Sequence, residues 1–101
     1  MKGEALILHI DTTSREKIIV GIDDKRFERE SKEGSSQMLL PFIDHILTSE
    51  GRDVKDITEI KVNTGPGSFT GIRVGVAVAN TLGFVLKVPV DGKKIEDVII
   101  Y

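Results

Sequence analysis

The 101-residue sequence contains no cysteine and no tryptophan, and it has only two histidines. Without cysteine the chain can form no disulfide, has no thiol nucleophile and offers no thiolate to a metal. Such a composition is more natural for an intracellular protein than for a secreted one, so we predict a cytoplasmic location. Because His9 and His45 form no HExxH-type pair, we expect ordinary strand and helix residues here and no metal site.

Long hydrophobic runs and blocks of one charge are also missing. The apolar run near the N-terminus is interrupted by Asp11, and no run approaches the ~20 residues of a membrane span, so we expect neither a signal peptide nor a membrane segment. The net charge is −2, with acidic and basic residues interspersed. Nothing in this pattern provides an electrostatic footprint for nucleic acid or anionic lipid. Direct RNA binding is therefore disfavoured.

The order of hydrophobic patterns predicts one α/β domain over residues 1–101. Three strand-like runs with short polar turns indicate an antiparallel meander, and two helical segments then alternate with strands. A terminal helix is predicted at 93–100, with a strand as the alternative. The predicted order is βββαβαβα, an α/β layer with a mixed five-stranded sheet. In order, the segments are "ALILHID", "KIIVGID", "KRFERES", helix 36–50, "DITEIKVN", helix 68–87, "VPV" and "KKIEDVII".

The first predicted helix has a wide apolar face. At about 100° per residue its apolar side chains cover roughly 200° of the circumference, about twice what one sheet contact requires. Either the helix is wedged between the sheet and a neighbouring helix, or part of this face meets another chain. Ser35 or Ser36 is the expected N-cap, and Pro41 lies near the start. The apolar residues are Met38, Leu39, Leu40, Phe42, Ile43, Ile46 and Leu47.

The second predicted helix carries small residues at every fourth position. Gly71, Gly75, Ala79 and Gly83 draw one ridge of minimal side chains along it, while the other faces are mostly apolar. Glycine inside a helix costs roughly 1 kcal/mol relative to alanine, so a compensating contact is required. Close approach of another backbone is the physical candidate. The pattern predicts burial on several sides, by the chain's own sheet and by a partner.

The stretch "GPGSFTGIRVG" joins a strand to this helix and could direct backbone N–H groups at an anion. Its spacing matches neither GxGxxG nor a P-loop, so a structural turn capped by Ser68 is the competing interpretation. If the two strands are parallel neighbours, Asp11 lies at the same edge and could serve a magnesium ion. One carboxylate without a visible base or nucleophile assigns no catalytic residue. The candidate phosphate or cofactor residues are Asp11, Thr12, Gly65, Gly67 and Ser68.

Three segments together resemble the TsaB (YeaZ) family: "ILHIDTT", "SSQMLLPFIDHIL" and "NTGPGSFTGIRVGVAVANTLGFVLKVPV". The resemblance covers about residues 5 to 90. These proteins are relatives of the sugar-kinase, Hsp70 and actin superfamily and take part in making threonylcarbamoyladenosine on tRNA. The resemblance implies a ribonuclease H-like (actin-like ATPase) lobe of order βββαβαβα. The family usually continues into a second lobe, which we expect to be absent here.

The resemblance also implies a role without catalysis of its own. Family members activate the catalytic homologue TsaD, together with the ATPase TsaE, and we expect a homodimer when the chain is alone and only indirect contact with tRNA. The helices at 36–50 and 68–87 would meet those of the partner in a helical bundle. The interface residues expected on this basis are Met38, Leu39, Phe42, Ile46, Gly71, Gly75, Ala79 and Gly83.

Nucleotide binding follows from the same resemblance. Nucleotide sites of the superfamily lie between two lobes, so we expect no ATP cleft in this chain alone, although ATP or ADP with Mg²⁺ could be shared with a partner at the Asp11 edge. The alternative function is a small nucleotide- or phosphate-binding enzyme that uses Asp11 and the 65–71 loop. A stand-alone RNA binder would instead require strong, salt-dependent tRNA binding.

Overall fold

A computed structural model describes residues 5–30 and 35–91 of the chain. The α/β class and the mixed sheet predicted from the sequence are confirmed, while the terminal helix predicted at 93–100 lies outside the described residues. A short 3₁₀ turn at Val54–Asp56 precedes the fourth strand. The other elements are β1 (Ile7–Asp11), β2 (Lys17–Ile22), β3 (Lys25–Glu30), α1 (Ser35–Ser49), β4 (Glu59–Val62), α2 (Phe69–Leu86) and β5 (Val90–Asp91).

The five strands lie in the order β3-β2-β1-β4-β5. The first three form the antiparallel meander expected from their short polar turns, whereas β4 runs parallel to β1 and β5 parallel to β4. The N–H of Asn63 continues the β1–β4 pairing by donating to the Ile10 carbonyl oxygen at 2.9 Å. The parallel pairing brings the carboxyl ends of β1 and β4 to one edge of the sheet. Asp11 and the glycine loop therefore meet at that edge.

Within the described residues, both helices pack on one face of the sheet. Alternate strand residues such as Leu8, Ile10, Val20 and Ile60 point to this face and join the helices in one buried cluster. The alternation follows from the two-residue period of a strand. The opposite face carries half-buried side chains that no described helix covers, among them His9 and Asp11.

Helix α1 packs against the sheet and, beside it, against α2. Five of its apolar side chains are at most 3% exposed, and the Arg29 guanidinium lies 4.6 Å from the centre of the Phe42 ring. Of the seven apolar residues that form the wide face predicted for this helix, only Leu40 is largely exposed, at 51%. The helix already begins at Ser35 and continues through Pro41. The chain's own core therefore accounts for the wide apolar face.

Helix α2 has the ends that its sequence predicts. The Ser68 hydroxyl oxygen accepts a hydrogen bond from Gly71 N as N-cap, and Lys87 adopts the left-handed conformation as C-cap. By length and composition α2 could cross a membrane, but core helices of globular proteins pass the same test. Six of its residues are buried on the sheet side. The helix is thus fixed to the sheet along its length.

Candidate functional site

Asp11, at the end of β1, is held by neighbours at the sheet edge. Its carboxylate accepts hydrogen bonds from Thr13 N at 3.0 Å, Thr13 Oγ1 at 2.7 Å and Asn63 Nδ2 at 3.1 Å. Partial burial raises the pKa of Asp11, but these hydrogen bonds and the charge of Arg26 outweigh burial and hold the pKa below its ordinary value. The group is a carboxylate at neutral pH, with most of its hydrogen-bonding capacity already used.

Thr12 does not face a ligand. Its side chain is fully buried, and its hydroxyl donates to the Gly71 carbonyl oxygen at 2.6 Å. This hydrogen bond joins the end of β1 to the first turn of α2. The prediction that Thr12 offers a hydroxyl to a cofactor is therefore corrected: the hydroxyl binds the following helix.

Three N–H groups of the glycine loop donate hydrogen bonds within the chain. Ser68 N donates to the Thr13 carbonyl oxygen at 2.7 Å, Gly65 N to Asn63 Oδ1 at 3.0 Å and Gly71 N to Ser68 Oγ at 3.2 Å. Gly67 has φ of 157°, and a Cβ there would collide with Thr13. These contacts favour the interpretation of the loop as a tight turn, in which Gly65 and Gly67 supply backbone conformations that other residues rarely adopt.

The ridge of small residues on α2 faces the chain's own sheet. A Cβ on Gly71 would collide with the Thr12 carbonyl oxygen, one on Gly75 with Thr12 Oγ1, and one on Gly83 with Val90. Ala79 is completely buried. The prediction that the ridge meets a partner is corrected: the close approach that glycine permits is made to Thr12, directly after β1, and to Val90 in β5.

The predicted interface residues of α1 are also mostly internal. Leu39, Phe42 and Ile46 are at most 3% exposed, and Met38 is half-buried against the core. A partner cannot reach the three buried side chains without unfolding the helix. The exposed large apolar side chains are Leu40, which belongs to the predicted apolar face of α1 but not to the predicted interface, and Phe69, Phe84 and Val85 of α2.

The surface opposite the ridge, which we call the outer face of α2, has little charge for a solvent-facing helix. Arg73 is its one charged residue, and the Arg73 guanidinium lies 5.6 Å from the centre of the Phe69 ring. Phe84 is 84% exposed, the largest value among the exposed apolar side chains. The apolar residues of the outer face are Phe69, Val74, Ala77, Val78, Phe84 and Val85.

An apolar groove between the two helices continues this surface. Leu40 and Leu82 line both halves of the groove, which have volumes of about 190 Å³ and about 240 Å³. Asp44 is the one charged residue among the groove's lining residues. A helical projection of α2 could have revealed the outer face, because its two aromatic residues and single charge lie opposite the glycines.

A cavity of about 430 Å³ opens on the uncovered face of the sheet, beside Asp11 and over Gly21. Side chains of both charge signs line it, including Arg26, Lys61 and Asp23. The mixed charges single out no class of ligand. Across residues 5–30 and 35–91, no group of three or more acidic, histidine or cysteine side chains could hold a metal ion.

Comparisons with known proteins agree on one family. The family model described as TsaD, tRNA N6-adenosine threonylcarbamoyltransferase, matches residues 29–92. The chain is 34% identical over 90 residues to the tRNA threonylcarbamoyladenosine biosynthesis protein TsaB of Escherichia coli K12, covering 85% of the chain and 38% of that protein. It is 44% identical over 54 residues to the tRNA N6-adenosine threonylcarbamoyltransferase of Nitrosospira multiformis, covering 54% of the chain and 16% of that protein.

A solved structure gives the same answer for the fold. YeaZ from Pseudomonas aeruginosa superimposes with a TM-score of 0.79 at 27% identity, covering 87% of the chain and 43% of the solved protein. The sheet and its two helices are thus those of a protein class that includes TsaB and TsaD. Within that class, the chain belongs to the TsaB (YeaZ) family. It spans less than half the length of these relatives.

Proposed function

We propose that the chain is a non-catalytic subunit in tRNA threonylcarbamoyladenosine biosynthesis that binds and activates a TsaD-like catalytic subunit. The binding surface in this proposal is the outer face of α2 together with the groove beside Leu40. The observation that carries it is the exposure of two phenylalanines and a valine on a helix face with one charged residue. We infer the pathway from the names of the relatives, which are proteins of tRNA threonylcarbamoyladenosine biosynthesis.

The outer face has the composition expected of a protein interface. Aromatic residues are enriched at interfaces and contribute most when they enter a partner's pocket, whereas charged residues are depleted at the interface core. Contiguous apolar surface is otherwise costly to expose to water. Phe69 and Phe84 would provide anchors near the two ends of α2, and the groove would receive an apolar side chain of the partner.

The remaining parts of the proposal come from the family resemblance. A TsaE-like ATPase would join the assembly, the chain alone would form a homodimer, and tRNA would be contacted only through the partner. ATP or ADP with Mg²⁺ would bind at a shared site at the Asp11 edge. The proposal also includes a ribonuclease H-like lobe and a cytoplasmic location.

The test is binding of the chain to a TsaD-like protein from the same organism, measured by calorimetry and pull-down. Phe84→Asp should weaken binding at least about tenfold, because it places a charge in the interface core. His45→Asp is the matched control, since His45 is an exposed residue on the side of α1 turned away from the groove. Circular dichroism first establishes that both variants keep the fold. Equal affinity of the two variants would contradict the proposed surface.

A further inference from the structure

The larger half of the apolar groove, about 240 Å³ in volume, is formed mainly by α1. Asp44 lies four residues after Leu40 and three before Leu47, so these three side chains are neighbours along one side of the helix. This half of the groove therefore combines five aliphatic side chains with one negative charge. Its lining residues are Leu40, Ile43, Asp44, Leu47, Val54 and Leu82.

The Asp44 carboxylate is not neutralised by the part of the chain that the structure describes. Asp44 is exposed, and among residues 5–30 and 35–91 it makes no ion pair. Glu50, directly after the same helix, differs in this respect, because its carboxylate pairs with Lys25 Nζ at 2.6 Å. The charge of Asp44 is thus open to a cation from another molecule.

A partner that covers the groove takes Asp44 out of water. An unpaired charge is costly to desolvate, whereas a cation placed against it offsets part of that cost. The aliphatic side chains around Asp44 favour contact with hydrocarbon instead. A side chain with an apolar stem and a cationic head meets both requirements. Arginine fits better than lysine, because its guanidinium is more weakly hydrated and because interfaces are enriched in arginine and depleted in lysine.

We propose that this half of the groove receives an arginine of the TsaD-like partner, with its stem against Leu40 and Leu82 and its guanidinium on the Asp44 carboxylate. The smaller half of the groove, about 190 Å³ in volume and without a charged lining residue, receives an apolar side chain of the same partner. This inference rests on the proposed function and adds the polar determinant of its surface. Complementary charges fix the register of an interface and exclude wrong partners.

Substitutions of Asp44 test the charge pair. In calorimetry, Asp44→Asn should weaken binding of the TsaD-like protein about tenfold, and Asp44→Arg at least about a hundredfold. Added salt should weaken the parent complex more than the Asp44→Asn complex, because it screens the pair. Asp24→Asn and Asp24→Arg are matched controls that should bind like the parent, since Asp24 is exposed in the turn between β2 and β3. Circular dichroism first establishes that all four variants keep the fold.

Charge exchange tests for the arginine itself. Each surface arginine of the TsaD-like protein is changed to aspartate in turn. One of these variants should lose affinity for the parent chain and recover it, to within about threefold, with Asp44→Arg. Recovery with none of them would overturn the proposal, as would parent-like affinity of Asp44→Asn.

A further substitution, Asp44→Leu, separates the other possible occupants. Tighter binding of the TsaD-like protein by Asp44→Leu would show that the groove takes only an apolar side chain. Altered self-association of the isolated chain, with unchanged binding of the TsaD-like protein, would show that the groove takes a second copy. Either result would overturn the proposal.

The two proposals fail separately. Weaker binding by Phe84→Asp, together with parent-like binding by the Asp44 variants, would keep the proposed function and remove the arginine from the groove. Absence of binding between the parent chain and the TsaD-like protein would instead contradict the proposed function itself.

Discussion

Thr12 and Gly71 contact each other at two points. The Thr12 hydroxyl donates a hydrogen bond to the Gly71 carbonyl oxygen at 2.6 Å, and the Thr12 carbonyl oxygen lies where a side chain on Gly71 would be. Only a residue without a Cβ fits against that oxygen. The end of β1 and the first turn of α2 therefore depend on each other. The geometry of the whole edge, including Asp11, follows from this contact.

Gly71→Ala should lower the free energy of unfolding by about 1–3 kcal/mol, because the new methyl group collides with a backbone oxygen that cannot move aside. Helix propensity alone predicts the opposite, a gain of about 1 kcal/mol. Urea denaturation measures the difference, and Thr70→Ala, at an exposed neighbouring position, is the control. A variant as stable as the parent would show that α2 can shift away from β1.

Gly83→Ala should also destabilise, by about 1–3 kcal/mol, but here the obstacle is a side chain, Cγ2 of Val90. In a Val90→Ala background the cost should fall by at least about 0.5 kcal/mol, because the colliding methyl group is gone. The double-mutant cycle is read by urea denaturation. Gly71→Ala combined with Val90→Ala should be additive, and coupling there would contradict the assigned contacts.

Protonation of Asp11 should make the stability of the fold depend on pH in the acid range. Its folded-state pKa lies below the ordinary value of 3.8, so the carboxylate contributes stability above that value, and the contribution is lost as pH falls through the folded-state pKa. Asp11→Asn should remove this component. Thermal unfolding of parent and variant should differ by a constant amount at neutral pH, and the difference should shrink below about pH 4. A pH-independent difference would contradict the lowered pKa.

The chain alone should give no heat on titration with ATP or ADP and Mg²⁺. The N–H groups of Gly65, Ser68 and Gly71 already donate within the chain, so they are not available to a phosphate. Heat should appear only when a TsaD-like partner is present. Tight binding to the isolated chain that Asp11→Asn abolishes would instead support the alternative, a nucleotide-binding enzyme.

Local features of the fold could be predicted because their causes are local. Ser68 and Lys87 bound α2 through capping, and the predicted helix at 68–87 differs from the observed one only by these two caps. The meeting of Asp11 with the glycine loop depended on β1 and β4 being parallel neighbours, which the structure shows. The sequence alone does not show whether β1 and β4 are parallel neighbours.

The contacts of the ridge could not be predicted in the same way. Periodicity shows that Gly71, Gly75 and Gly83 share a face, but it does not show which neighbour covers that face. Small residues permit the close approach of a sheet edge and of a partner helix equally well. Here the neighbours are Thr12 and Val90 of the same chain. For α1, the wide apolar face was correct as a pattern, and the sheet and α2 of the same chain together cover most of it.

The glycine contacts with the sheet also decide how α2 is rotated about its axis. Turning the helix by one residue, about 100°, would drive a bulky side chain into β1, so a single rotational setting remains. Phe69, Ala77 and Phe84 are consequently held outward before any partner arrives. In the proposed complex, a helix preorganised in this way would lose little conformational entropy on association, so more of its contact energy would be available as affinity.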